Sequence, residues 1–242
     1  MSLSGRIAFV TGAGGGIGRE ICLSLAKEGV VPVLFGGNNQ DNLRSTADAI
    51  TSLGIEPKIY AGNLTDDDVL NNNFQKAIDE MGGMDILINN AGVTLNQPFE
   101  STPAQTFDKI MNVNVRVPYL LTAKAIPYLK KSDRASVINI ASVVAHLGYA
   151  NQSAYSASKH ALLGFTKSLA AEVYQDGIRV HAISPGGVFT DMVKISRPDL
   201  TPEGMIMPKD VAEIVMFLLK NRNNAVIDEI LVHRANKTPF LV

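Results

Sequence analysis

Short apolar runs of strand length alternate along the chain with longer stretches in which apolar residues recur at helical spacing. The runs are Ile7–Thr11, Val31–Phe35, Pro57–Ala61, Ile86–Asn89, Ser136–Ser142, Val180–Pro185 and Ile227–Val232. Their hydrophobicity is continuous rather than alternating, as in strands covered on both faces, and helical crossovers on the two sides of a parallel sheet give that cover. The pattern predicts an α/β fold, a doubly wound seven-stranded parallel sheet with helices on both faces.

Helix starts agree with this division. Thr65-Asp66-Asp67-Asp68 and Ser101-Thr102-Pro103 place capping side chains, carboxylates and proline at predicted N-termini. The three aspartates lack the alternating ligands and glycine of a calcium loop, so they read as helix-dipole partners. Residues 188–207 carry two prolines and little helical period, which predicts a mobile substrate loop after the sixth strand. With no linker, charge block or repeat to divide the chain, residues 1–242 read as a single domain.

Composition narrows the partners. Lys and Arg total 22 against 23 acidic residues, giving a formal charge of -1, so no global field draws the chain to nucleic acid or to an anionic membrane. A small-molecule substrate is favoured. Cys22 is the single cysteine and sits between Ile21 and Leu23, which excludes an internal disulfide and reads as core packing. The N-terminus runs straight into a four-residue apolar stretch, too short for a signal sequence, and the cytoplasm is the expected location.

Thr11-Gly12-Ala13-Gly14-Gly15-Gly16-Ile17-Gly18 follows the first strand and opens a helix. Glycines at 12, 16 and 18 permit a tight turn, close approach to a pyrophosphate and close helix-on-strand contact, with helix N–H groups facing the anion. No Gly-Lys-Ser/Thr closes the loop, so it is not of the Walker type. The second strand ends at Phe35-Gly36-Gly37-Asn38, where such folds read the adenosine ribose. Neither acid nor arginine stands there, which tilts the cofactor towards NADP(H) over NAD(H), with shallow discrimination. An aspartate at Gly36 is expected to shift preference towards NADH, and an arginine at Gly37 towards NADPH.

A strand ending in Ser142 is followed thirteen positions later by Tyr155-Ser156-Ala157-Ser158-Lys159. On a helix, residues four apart share a face, so the Lys159 ammonium is expected near the Tyr155 phenol and to lower its pKa, favouring acid–base work near neutrality.

With these residues in view, the chain resembles the short-chain dehydrogenase/reductase family in its single-domain Rossmann form along nearly its whole length. The matching residues are Thr11, Gly12, Gly16, Ile17, Gly18, Asn89-Asn90-Ala91-Gly92, Asn114, Ser142, Tyr155, Lys159, Pro185-Gly186 and Thr190. The motifs around Gly12–Gly18 and Ser142–Lys159 resemble beta-ketoacyl-acyl-carrier-protein reductases most.

The resemblance implies a nicotinamide-dependent oxidoreductase. In it Ser142 binds the substrate oxygen, Tyr155 exchanges its proton, Lys159 binds the nicotinamide ribose, and Asn114 holds a water linking the lysine to solvent. Gly14, Gly15, Gly36, Gly37 and Asn38 join the cofactor site; Asn90 contacts the adenosine-side ribose region, Ala91 and Gly92 lie beside it, Asn63 and Leu64 meet the adenine, and Val188 and Thr190 meet the carboxamide.

The resemblance also implies a homotetramer or homodimer built through helices corresponding to Thr102–Leu129 and Gln152–Gln175. A 3-oxoacyl-acyl-carrier-protein reductase is the specific alternative, although the edges Lys130-Lys131-Ser132-Asp133-Arg134 and Glu172-Val173-Tyr174-Gln175-Asp176 are mixed in charge. A dinucleotide sensor without turnover is the remote one. His146 reads as a pocket residue or a satisfied loop histidine, and no metal is assigned. Where relatives often end in a glycine-rich tail, this chain reads His233-Arg234-Ala235-Asn236-Lys237-Thr238-Pro239-Phe240-Leu241-Val242.

Overall fold

A computed structural model describes residues 2–37, 39–196 and 199–238. Asn38 and the tail from Pro239 to Val242 lie outside the described residues. Strands and helices alternate: β1 Ile7–Thr11, α1 Gly16–Lys27, β2 Val31–Gly36, α2 Gln40–Thr51, β3 Lys58–Ala61, α3 Asp67–Met81 and β4 Ile86–Asn89. Then follow α4 Ala104–Met111, a π-helical turn Asn112–Arg116, α5 Val117–Leu129, β5 Ser136–Ile140, α6 Ser153–Val173, β6 Arg179–Pro185, α7 Asp191–Ser196, α8 Pro208–Lys220 and β7 Glu229–Val232. All neighbouring strands pair in parallel, in the order β3-β2-β1-β4-β5-β6-β7. The order reverses between β1 and β4, and the crevice opened there at the carboxyl ends of the strands is where such sheets bind ligands.

The period-2 alternation of the strands sorts their side chains into two cores. Ala8, Val10 and Leu34 face Ile21 and Leu25 of α1, Leu43 of α2 and Val211 and Val215 of α8. Phe9, Val33 and Phe35 face Phe74 of α3, Leu121 of α5 and Leu169 and Val173 of α6. Each fully buried Leu or Phe in these layers contributes about 1.5–3 kcal/mol. Cys22 lies in the first core, and burial pushes its thiol far above the ordinary range. Under the crevice a buried polar ladder crosses the sheet. Asn89 donates to Thr122 of α5 at 3.1 Å and to Asn139 at 2.8 Å, and Asn139 donates to Thr166 of α6 at 2.8 Å. It ties the two helices beside the crevice to β4 and β5.

Three local expectations change. Asp66 does cap α3, accepting from Asp68 and Val69 N–H, but Asp67 also holds Arg116 in a two-pronged pair at 2.7 Å. Ser101 and Thr102 do not cap α4; both hydroxyls donate to the Pro98 carbonyl, and Pro103 occupies the N-cap. Within residues 188–207 a short helix, α7, forms where little helix was expected. Asp191 in its first turn and Lys194 in its last, paired at 2.9 Å, suit its dipole. Its flanks are joined by a bridge between Val188 and Ile206. Among the described residues, no helix is long and apolar enough to cross a membrane, and no three His, Cys, Asp or Glu side chains gather as metal ligands.

Candidate active site

The glycine turn is fixed from both sides. Gly12 and Gly16 take positive φ of 68° and 50°, a region that disfavours any side chain. The Thr11 hydroxyl accepts from Asn90 and Ala91 N–H at 3.0 Å, and the Asn90 amide donates back to the Thr11 and Gly12 carbonyls at 2.9 and 3.3 Å. So Asn90 braces the turn as well as lining the cavity. No side chain caps α1 and no acid sits in its first turn, leaving its N–H groups to an anion. Gly16 lies against Thr190: a Cβ there would stand 3.1 Å from the threonine methyl, tighter than ordinary contact. These features fit a dinucleotide pyrophosphate.

The opposite wall carries the reactive side chains. The cavity, about 700 Å³, brings Ser142, Tyr155 and Lys159 together with Gly12, Gly15, Gly16 and Ile17. Asn90, Ala91, Gly92, Pro185, Gly186, Val188 and Thr190 line it too. Ser142 follows the end of β5, where its hydroxyl donates to the Pro185 carbonyl at 3.3 Å and is hydrogen-bonded to the Tyr155 phenol. Tyr155 and Lys159 lie one turn apart on α6, and the Lys159 ammonium donates to the Ile140 carbonyl at 2.8 Å.

The expected lowering of the phenol by the ammonium is not found in this arrangement. Burial pushes Tyr155 above its ordinary value, and the bond to Ser142 opposes that only in part. Burial likewise holds Lys159 down, to about 8. Its Nζ stands 5.8 Å from the centre of the tyrosine ring.

The lysine shift has a measurable consequence. An unfolded chain keeps this proton towards the ordinary value of 10.5, whereas the folded protein releases it near 8, so stability rises as pH climbs between the two. The gain expected from pH 8 to pH 10 is about 2 kcal/mol. Lys159→Met should lack it. Chemical denaturation of both proteins at the two pH values checks this, and equal pH dependence would contradict it.

Asn114 sits in the π turn, fully buried, with its side chain committed. It accepts from Val93 N–H at 2.8 Å and donates to the Val93 carbonyl at 2.9 Å and the Ser158 hydroxyl at 3.0 Å. In α register its carbonyl would face position 118, where Pro118 has no N–H to donate. With its side chain committed, the backbone carbonyl is what Asn114 has to offer a water.

Other expected residues are placed differently. The Asn63 carbonyl accepts the N–H and hydroxyl of Thr65, which leaves its amide nitrogen as the group that can face an adenine. Leu64 packs in the second core, and its side chain is buried. Gly14 packs against the first turn of α2, and Gly18 is buried beneath the turn. Gly36 cannot readily take an acid: a Cβ there would stand 2.8 Å from both methyls of the buried Leu43, whereas one at Gly37 would meet nothing within 4 Å. His146 is not part of the cavity; it is satisfied by Glu229 at 2.7 Å. The sequence reading missed Tyr149, Gln152, His233, Arg234 and Lys237, which line the same cavity. The unusual tail was the one signal for the last three.

A doubly wound parallel sheet with a glycine cradle and a Ser–Tyr–Lys set at its carboxyl ends is the frame of a dinucleotide-dependent oxidoreductase. Residues 6–201 match the short chain dehydrogenase family model, and the chain belongs to that family. It is an oxidoreductase of CH–OH or C=O groups with NAD or NADP as cofactor.

The chain is 31% identical to the 3-oxoacyl-[acyl-carrier-protein] reductase FabG of Thermotoga maritima, over 96% of this chain and 97% of that one. A metagenomic short-chain oxidoreductase in complex with NADP superposes with a TM-score of 0.85 at 30% identity, covering 98% of this chain and 100% of that one. The 3-ketoacyl-(acyl-carrier-protein) reductase of Brucella melitensis, complexed with NADH, gives a TM-score of 0.84 at 29% identity over 96% and 97% of the two chains.

Proposed function

We propose that the protein is a carbonyl reductase, working reversibly on the corresponding secondary alcohol, with Tyr155 as its general acid and base. The observation that carries this is the convergence of Ser142, Tyr155 and Lys159 on the wall facing the glycine cradle of one cavity. When bound, the nicotinamide supplies or takes the hydride. The Ser142 hydroxyl polarises the substrate carbonyl, and the Tyr155 phenol donates its proton to the oxygen as the carbon is reduced. Lys159 holds the nicotinamide ribose and returns a proton towards Tyr155, fed through a water on the Asn114 carbonyl. A panel of ketones with NADH and with NADPH, followed by loss of reduced-nicotinamide absorbance, tests the reading. Folded protein that oxidises neither cofactor with any ketone would overturn it in favour of a sensor.

A thioester-borne 3-oxoacyl substrate is the second reading, supported by the identity to the Thermotoga reductase. The mixed charge of the surface residues Lys130, Lys131 and Asp133 speaks against an acidic carrier. Cofactor choice follows from the end of β2. Gly37→Asp should shift kcat/KM towards NADH and Gly37→Arg towards NADPH, each by about ten- to a hundredfold, the contribution of one charged hydrogen bond. Gly36→Asp should instead lower stability by about 1–3 kcal/mol by displacing Leu43. A stable Gly36→Asp protein with switched preference would contradict this account.

The described chain reads as one domain that assembles with copies of itself. The outer faces of α4, α5 and α6 leave Phe107 and Tyr119 exposed, with Tyr119 against Phe165 at 5.2 Å, and Tyr174 beyond α6 is exposed as well. A monomer by light scattering at micromolar concentration would contradict assembly.

A further inference from the structure

The turn after β7 brings to the cavity a cation that the hydride chemistry does not use. The stem of Arg234 lies over two glycines: a Cβ on Gly187 would stand 3.5 Å from its Cδ, and one on Gly186 3.9 Å from its Cγ. Its side chain is part-buried. The one hydrogen bond it makes among the described residues goes to the Met205 thioether at 3.3 Å, a weak acceptor. Lys237, whose N–H closes a turn on the Arg234 carbonyl at 3.0 Å, lines the same cavity, as does His233. The single carboxylate in that lining, Asp191, is already paired with Lys194 at 2.9 Å. A part-buried guanidinium with no oxygen acceptor among the described residues presents its fork of donors to an oxyanion that enters the cavity.

We propose that Arg234, with Lys237 beside it, is the anion-reading subsite of the substrate pocket, and that the substrate is a carbonyl or alcohol compound bearing a carboxylate or a phosphate. This rests on the carbonyl-reductase reading above and names its substrate class. The other cationic group on the cavity wall, Lys159, donates to the Ile140 carbonyl and serves the nicotinamide ribose in the mechanism above, so the positive charge left for a substrate anion is that of Arg234 and Lys237.

The test compares 4-oxopentanoate with its methyl ester, and dihydroxyacetone phosphate with dihydroxyacetone, in the wild type, Arg234→Met and Arg234→Lys. The wild type should favour the charged member of at least one pair in kcat/KM. Arg234→Met should reduce that charged-to-neutral ratio by about ten- to a hundredfold, and Arg234→Lys, a point charge without the fork, should keep an intermediate ratio. Which pair responds tells carboxylate from phosphate.

Calorimetric titration of the same anions into protein preloaded with NADP⁺ gives a readout independent of turnover, and their binding should weaken in Arg234→Met by the same factor. Ratios and anion binding unchanged by Arg234→Met would overturn the subsite. So would a loss confined to cofactor affinity, because Arg234 would then face the dinucleotide. If no ketone is reduced by the wild type, the carbonyl-reductase reading fails while the calorimetry still decides the subsite.

Discussion

Tyr155→Phe is expected to lower kcat by about 10²- to 10⁴-fold while leaving the fold and cofactor affinity close to those of the wild type. The substitution keeps the ring and removes only the hydroxyl, so the packing of α6 and the Lys159 bond to Ile140 survive. What is lost is the one proton donor that shares a hydrogen bond with Ser142 on the cavity wall. Because burial raises the phenol in the free protein, Tyr155 stands protonated near neutrality, ready to donate in the reducing direction. Alcohol oxidation requires the phenolate, so its rate should climb with pH while ketone reduction does not. Steady-state rates in both directions across pH check both claims. A phenylalanine variant retaining more than about a tenth of kcat would remove Tyr155 from the chemistry.

The sheet was legible because parallel strands covered on both faces read as unbroken apolar runs. Thus Ile7–Thr11 and Ile86–Asn89 appear in the structure with the bounds expected of them. Pro57 and Ile227 drop out of their strands, which begin at Lys58 and Glu229. The glycine turn and the Tyr155–Lys159 pair were legible for the same local reason, since a strand-to-helix turn and a four-residue helical spacing are short-range patterns.

Features set by distant contacts were not legible. The π turn depends on Asn114 reaching Val93 and Ser158, partners 21 and 44 positions away. The unsuitability of Gly36 for an acid depends on Leu43, whose direction is set by the packing of α2. The depressed Lys159 and raised Tyr155 reflect burial, which four-residue spacing does not reveal. Arg234 reaches the cavity only because β7 pairs with β6, bringing it beside Gly186 and Gly187 nearly fifty residues earlier in the chain.

Gly18→Ala should abolish tight cofactor binding, weakening it by more than about a hundredfold, which is a loss of about 3 kcal/mol. Gly18 sits in the first turn of α1, and an added Cβ would stand 2.1 Å from the Gly12 carbonyl oxygen and 2.6 Å from the Asn90 amide nitrogen. No side chain can give way there, because the nearest atom is backbone and the amide is already bonded to the Thr11 and Gly12 carbonyls. Either α1 lifts from β1 or the Gly12 turn opens. Both move the helix N–H groups away from the pyrophosphate position, and Gly12, held at a φ of 68°, has little room to compensate. The Asn90 brace fails with it, so the melting temperature should fall too. Gly15→Ala gives the contrast for stability: that residue is extended, at φ -170°, and a Cβ meets nothing within 4 Å, so its melting temperature should stay near that of the wild type. Fluorescence titration of NADH and NADPH, read beside thermal melts, separates the two roles of the turn. Gly18→Ala protein that melts early yet binds both cofactors with wild-type affinity would mean that the glycines serve only the chain reversal and that the dinucleotide is held elsewhere.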